Sequence, residues 1–184
     1  MTMLRRTLLM AAIAGTFLTT CRLAAAKPAE NVSVKVTEDI EAIESPKFVA
    51  RAVQDGELLS NDKLAGKGYI VNFFGSWCPY CRREIPEMVS LQEKYRRKGF
   101  TFIGAAYKDN EKTMPDFIWE HSINYPVIMA DQTIIETFSR YLPDKLSSVP
   151  LLFAVGRDGR LLSVVYGVQS KEAFEKLILK TLQQ

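Results

Sequence analysis

The sequence predicts an α/β fold, with a central mixed β-sheet, helices on both faces and a β-hairpin on its N-terminal side. Three observations carry this expectation. Strand-like apolar runs alternate with segments whose apolar residues recur at three-four spacing. The most apolar run, Tyr69 to Phe74, is nearly continuous, as in a strand buried on both faces. Asp55-Gly56 and Arg157-Asp158-Gly159-Arg160 each separate two short strand-like segments and read as hairpin turns.

The elements follow in order. Phe48 to Val53 and Glu57 to Ser60 form the first hairpin, and Tyr69 to Phe74 the central strand. A helix begins after Cys78, keeps Ile85, Met88, Val89, Leu91 and Tyr95 on one broad face, and ends near Lys98-Gly99. Phe100 to Ala106 is a strand, Thr113 to His121 a helix, and Pro126 to Met129 a short strand. Asp131 caps a helix reaching Tyr141. Leu151 to Val155 and Leu161 to Tyr166 form an antiparallel pair. Ser170 caps a last helix with Phe174, Leu177, Ile178 and Leu182 on its apolar face. Asn31 to Val36 alternates and adds a candidate edge strand. The order is hairpin, βαβαβα, hairpin, α.

The 184 residues suffice for one domain with a sizeable core. Residues 1–26 read as an export signal. Arg5 and Arg6 precede an apolar stretch from Thr7 to Leu18, and Ala24-Ala25-Ala26 offers a cleavage site. An uncleaved anchor is the alternative. Leu18-Thr19-Thr20-Cys21 also resembles a lipobox, which allows a membrane tether through lipidated Cys21. Residues 27–46 are polar and expected to be an exposed leader, which leaves 47–184 as the domain. The formal net charge is +3, and Arg5, Arg6 and Arg22 account for all of it. From Lys27 onward, 21 basic residues face 21 acidic ones. A neutral body argues against nucleic acid and against an anionic membrane surface as partners.

Without the presequence, the only cysteines are Cys78 and Cys81, in Trp77-Cys78-Pro79-Tyr80-Cys81. Two cysteines three apart build no disulfide framework. A static bridge across one helical turn closes a tiny loop and stabilises little, which favours a redox role. Cys78 is expected at the helix start, with Pro79 at the first helical position. There the free N–H groups and the positive end of the helix dipole favour a thiolate. Cys81, one turn on, can resolve a mixed disulfide formed by Cys78. Trp77 offers an apolar wall for a peptide partner, or serves packing alone. Arg82 follows Cys81 where a c-type haem site needs histidine. His121 is the only histidine, so a four-ligand zinc site is not available, and its expected place is a helix C-terminus. No nucleotide-binding glycine motif is present, and no cofactor is expected.

The run Val71-Asn72-Phe73-Phe74-Gly75-Ser76-Trp77-Cys78-Pro79-Tyr80-Cys81-Arg82-Arg83-Glu84-Ile85-Pro86 resembles the thioredoxin superfamily, specifically its exported ResA/TlpA/DsbE-type thiol–disulfide oxidoreductases. Gly66-Lys67, Val149-Pro150, Asp158-Gly159 and Gly167 match in the same order. The resemblance implies a thioredoxin-like fold and a cis Pro150 beside the redox pair. It also implies that Val149 presents its backbone to an extended partner. Asn72 stands where cytoplasmic thioredoxins carry a buried acid, and the resemblance assigns to Glu84 the task of relaying the proton of Cys81. The alternative for Glu84 is an exposed acid paired with Arg82 or Arg83. Tyr80 departs from the dipeptides common in the resembling reductases and leaves the redox direction open. Leu142 to Ser148 is longer than usual, and either shapes the partner groove or is an inert loop.

The resemblance implies a periplasmic reductase of client proteins with cysteine pairs, such as apocytochromes c, recharged by a membrane thiol electron donor. A disulfide oxidase or isomerase of exported proteins, and a thioredoxin-fold module holding a soft metal, are the competing readings.

Overall fold

The computed structural model describes residues 43–184. The expected export signal, Cys21 and the candidate strand Asn31–Val36 lie outside the described residues. The observed order is β1 (Val49–Arg51), β2 (Leu58–Ser60), β3 (Gly68–Phe74), α1 (Pro79–Tyr95), β4 (Phe100–Tyr107), α2 (Met114–Glu120), β5 (Val127–Ala130), α3 (Gln132–Ser139), β6 (Leu151–Val155), β7 (Leu161–Tyr166) and α4 (Lys171–Gln183). This is the expected thioredoxin-like succession of hairpin, βαβαβα, hairpin and helix. β1 and β2 pair as a separate antiparallel ribbon, while the main sheet has the order β5-β4-β3-β6-β7.

The main sheet is mixed. β3 runs parallel to β4, and β4 to β5, whereas β6 is antiparallel to both β3 and β7. Every residue of β3 is buried, as its nearly continuous apolar run predicted. Alternation along the strands sorts the core into two layers. Ile70 and Phe74 face a cluster with Ile85, Met88 and Leu91 of α1 and Phe174 and Ile178 of α4. Val71 and Phe73 face the opposite cluster with Ile134 and Phe138 of α3 and Phe48 before the ribbon.

The helix starts follow their capping residues. Asp131 accepts the Ile134 N–H, and Ser170 accepts the Ala173 N–H. α3 ends at Ser139 rather than Tyr141, because Tyr141 and Leu142 bond to the carbonyls three residues back, in the tighter 3₁₀ manner. α1 runs on through Pro86, and Gly99 ends the short 3₁₀ turn that follows it in the left-handed conformation.

The last residues of the expected leader are not exposed. Ser45 and Pro46 are buried. The Ser45 N–H donates to the Gly159 carbonyl, and Leu161 donates to the carbonyl of Ile43. These bonds let residues 43–46 add backbone pairing to the edge of the β6–β7 hairpin, so packing against the domain begins before Lys47.

Phe138 is almost fully buried and meets Phe73 and Phe153 edge-on, at ring separations of 5.0 and 4.9 Å. Truncating it opens a cavity that the surrounding rings cannot close. Phe138→Ala should lower the unfolding free energy by roughly 3–5 kcal/mol, read from urea denaturation. A loss under about 1 kcal/mol would mean that this aromatic cluster does not anchor α3.

Candidate active site

β3 ends at Phe74, and a tight turn carries the chain into α1. The Cys78 N–H closes that turn on the Gly75 carbonyl at 3.0 Å. A Cβ at Gly75 would lie 2.5 Å from the Trp77 indole, so only glycine lets the ring fold back there. Cys78 is the N-cap of α1, and its sulfur accepts the Cys81 N–H at 3.2 Å. Pro79 follows in the first turn, where a missing N–H costs nothing. Cys78 and Cys81 form a disulfide with their Cα atoms 5.4 Å apart.

The disulfide belongs to the apolar cluster on the α1 face of the sheet. Cys81 is 1% exposed and Cys78 only 4%. Trp77 and Tyr80 are more than half exposed on either side. The Trp77 Nε1–H donates to the Tyr107 carbonyl at 3.4 Å. Across from them, the Val149–Pro150 bond is cis, as the resemblance implied. The Cys78 sulfur lies 3.9 Å from the Val149 carbonyl oxygen. The expected site residues other than Glu84 therefore lie in the two segments that meet at the Cys78 sulfur, around the buried disulfide.

Glu84 is buried in the interior. One turn after Cys81, on the same core-facing side of α1, it is 2% exposed. The alternative of an exposed acid paired with Arg82 or Arg83 is not what the fold adopts. The Arg83 guanidinium instead stacks over Tyr80, 4.7 Å from the ring centre. Glu84 Oε1 accepts the backbone N–H of Gln169, while Oε2 has no hydrogen-bond partner among the described residues. Burial pushes the Glu84 carboxyl up to about 7, against the opposing pull of the Gln169 N–H and Arg83. Burial also raises the Tyr125 hydroxyl, helped by the Glu84 charge. Asn72 donates to Met88 Sδ at 3.2 Å, and its Oδ1 is likewise unpartnered among the described residues.

Sequence reasoning missed Gln169, Asp109 and Tyr107. Asp109 accepts both the N–H and the hydroxyl of Ser76. Tyr107 donates its hydroxyl to the Leu146 carbonyl at 3.0 Å. The only signal in the sequence was an acid just past a strand end, which is ordinary for loops. His121 has the expected capping place: its N–H donates to the Phe117 carbonyl, and its ring stacks on Phe117.

A disulfide drawn across the first turn of a helix, at the carboxyl end of a thioredoxin-type sheet, defines a thiol–disulfide oxidoreductase. The chain belongs to the Redoxin family, whose model matches residues 35–178. A thiol-disulfide oxidoreductase ResA of Bacillus cereus is 31% identical over 138 residues, covering 74% of this chain and 76% of the relative. A thioredoxin-family thiol:disulfide interchange protein from Chlorobium tepidum TLS superposes with a TM-score of 0.74 at 35% identity, over 78% of this chain and 99% of that one. A secreted thiol-disulfide isomerase from Corynebacterium glutamicum shares the fold at 17% identity, with a TM-score of 0.70 over 86% of this chain and 96% of that one.

The burial of Glu84 has a measurable consequence for stability. Its carboxyl holds a proton in the folded protein up to about pH 7, but loses it near 4.5 when unfolded. The folded state therefore binds more protons between these values, and stability falls as pH rises through that window, then levels off. Glu84→Gln removes the titration. The variant should gain on the wild type by up to roughly 3 kcal/mol between acid and mildly alkaline pH, read from urea unfolding of the oxidised proteins. Parallel stability profiles for the two proteins would show that Glu84 is ionised without penalty.

Proposed function

We propose that this thiol–disulfide oxidoreductase is an exported reductase of client disulfides, with apocytochrome c cysteine pairs as the expected substrate class and a membrane thiol donor as its source of electrons. The proposed location is the periplasm, either released or tethered through the N-terminal segment. The observation that carries the reading is the placement of Cys78. Its sulfur meets the N-terminus of α1 on one side and the Val149 carbonyl on the other, beside two exposed aromatic rings. A client segment laid along Val149 would bring its own disulfide to that sulfur.

In the proposed cycle the Cys78 thiolate attacks a client disulfide, forming a mixed disulfide and releasing one client thiolate. Cys81 then loses its proton to the Glu84 carboxylate and attacks Cys78 Sγ. This closes the Cys78–Cys81 bond, releases the second client thiolate and transfers two electrons to the client. A buried thiol ionises poorly, so Cys81 needs a nearby base, and a carboxyl held near 7 is matched to that work at neutral pH. Trp77, Pro79, Tyr80, Val149 and Pro150 shape the rim on which the client rests.

The surroundings of the pair support the reductive direction. A strong oxidant owes its potential to a stabilised reduced form, and beyond the start of α1 the apolar cluster around Cys78 and Cys81 offers little such stabilisation. The Cys78–Cys81 potential should accordingly lie nearer that of thioredoxin, about −270 mV, than that of a strong oxidant such as DsbA, about −120 mV. Equilibration with a thiol buffer of known potential measures it, and a value near the oxidant end would make the protein an oxidase.

The order of attack has its own test. Cys81→Ser should accumulate mixed disulfides with clients, visible by non-reducing electrophoresis and mass spectrometry, while Cys78→Ser should not. Trapping by Cys78→Ser alone, or equally by both, would reverse or dissolve the assignment.

A further inference from the structure

The two walls of the client groove belong to distant parts of the chain, yet both are tied to the end of β4. Tyr107, the last residue of that strand, is buried, and its backbone carbonyl receives the Trp77 Nε1–H. Its hydroxyl reaches the opposite way and donates to the Leu146 carbonyl at 3.0 Å. Two residues on, Asp109 holds the Ser76 N–H with one carboxylate oxygen and the Ser76 hydroxyl with the other, at 2.8 Å for the latter. Lys108 between them adopts φ +49°, in the left-handed region uncommon for a residue with a Cβ. That bend carries Asp109 round to Ser76, immediately before Trp77 and Cys78.

The Leu146 side is pinned just as firmly. Its N–H donates to the Ser139 hydroxyl at 3.0 Å, and its side chain is buried in the cluster on the α3 face. Both backbone groups of Leu146 are thus engaged three residues before Val149. The stretch Leu142–Ser148 is thereby fastened through Leu146, at the point from which it leads to the Cys78 contact.

We propose that Tyr107 and Asp109 are positioning residues that set the separation of the Trp77 wall from the Leu146–Val149 wall, and so favour disulfides carried on an extended polypeptide over small-molecule disulfides. The inference rests on the reading that clients lie along Val149. A peptide spans both walls and registers their spacing. A small disulfide reaches Cys78 Sγ without touching them together.

The reduced protein can be mixed in a stopped-flow instrument with two substrates: a peptide of about ten residues holding an internal Cys-x-x-Cys disulfide, and cystamine. In either reaction the dithiol closes to the Cys78–Cys81 disulfide as the substrate disulfide becomes two thiols. The readout is the ratio of the peptide to the cystamine rate constant. Tyr107→Phe deletes one hydroxyl and frees the Leu146 carbonyl, so the ratio should fall about tenfold, in keeping with the steep dependence of rate on positioning. The Cys78–Cys81 potential should stay at the wild-type value. Ser139→Ala, which frees Leu146 from its other side, carries the same test should Tyr107→Phe not fold. An unchanged ratio, which a merely structural loss affecting both substrates alike would give, overturns the proposal, as does a shifted potential. A wild-type protein without any peptide preference overturns the client groove itself.

Discussion

Backbone pairs from Tyr69 with Val155 to Phe73 with Leu151 hold the exit of β3 beside the entrance of β6. Because the two strands are antiparallel, the chain leaves β3 at the level where Val149-Pro150 enters β6. That register brings the Cys78 sulfur to the Val149 carbonyl across 71 residues of sequence. A slip by one residue would turn Asn72 and Phe74 to the α3 face and send Val71 and Phe73 under α1. The redox loop, the cis-proline turn and the buried acid would then no longer share one end of the sheet. The parallel pairing of β3 with β4 contributes the third side, since Tyr107 and Asp109 emerge at the same end.

The same sheet divides the core unequally. Its α3 face is apolar and aromatic, with Phe73, Phe138 and Phe153 interlocked. Its α1 face holds the disulfide, and on that face Glu84 and Asn72 each leave an oxygen without a partner among the described residues. Buried polar groups without partners are costly, and a sequence under pressure for stability alone would replace them with apolar side chains. In the proposed cycle that cost has a use for Glu84, as the proton acceptor of Cys81. The cost that weakens the fold as pH rises also brings the Glu84 carboxyl close to neutrality.

Much of the fold was legible because it rests on short-range rules. The burial of β3 was written in a nearly continuous apolar run, the starts of α3 and α4 in Asp131 and Ser170, and the start of α1 in Cys78-Pro79. Where element limits differed, local alternatives had won: a 3₁₀ turn shortened α3, and backbone pairing drew residues 43–46 onto the β7 edge. Glu84 shows the limit of such rules. Spacing put it on the Cys81 side of a helix, yet the neighbouring Arg82 and Arg83 left a solvent-facing ion pair as the alternative. The docking of α1 on the sheet and the Gln169 N–H settled the matter, together with the departure of Arg83 to Tyr80.

The amino-acid order was enough to identify the redox pair, its place at a helix start, the succession of strands and helices, and the family resemblance, because each is encoded within a few residues or as a periodic pattern. The burial of Glu84 against Gln169, the Asp109 grip on Ser76 and the Tyr107 reach to Leu146 join residues 85, 33 and 39 positions apart. No spacing rule relates such partners. They meet because sheet register and helix docking bring them together, and those are properties of the packed whole, in which each element's position depends on all the others.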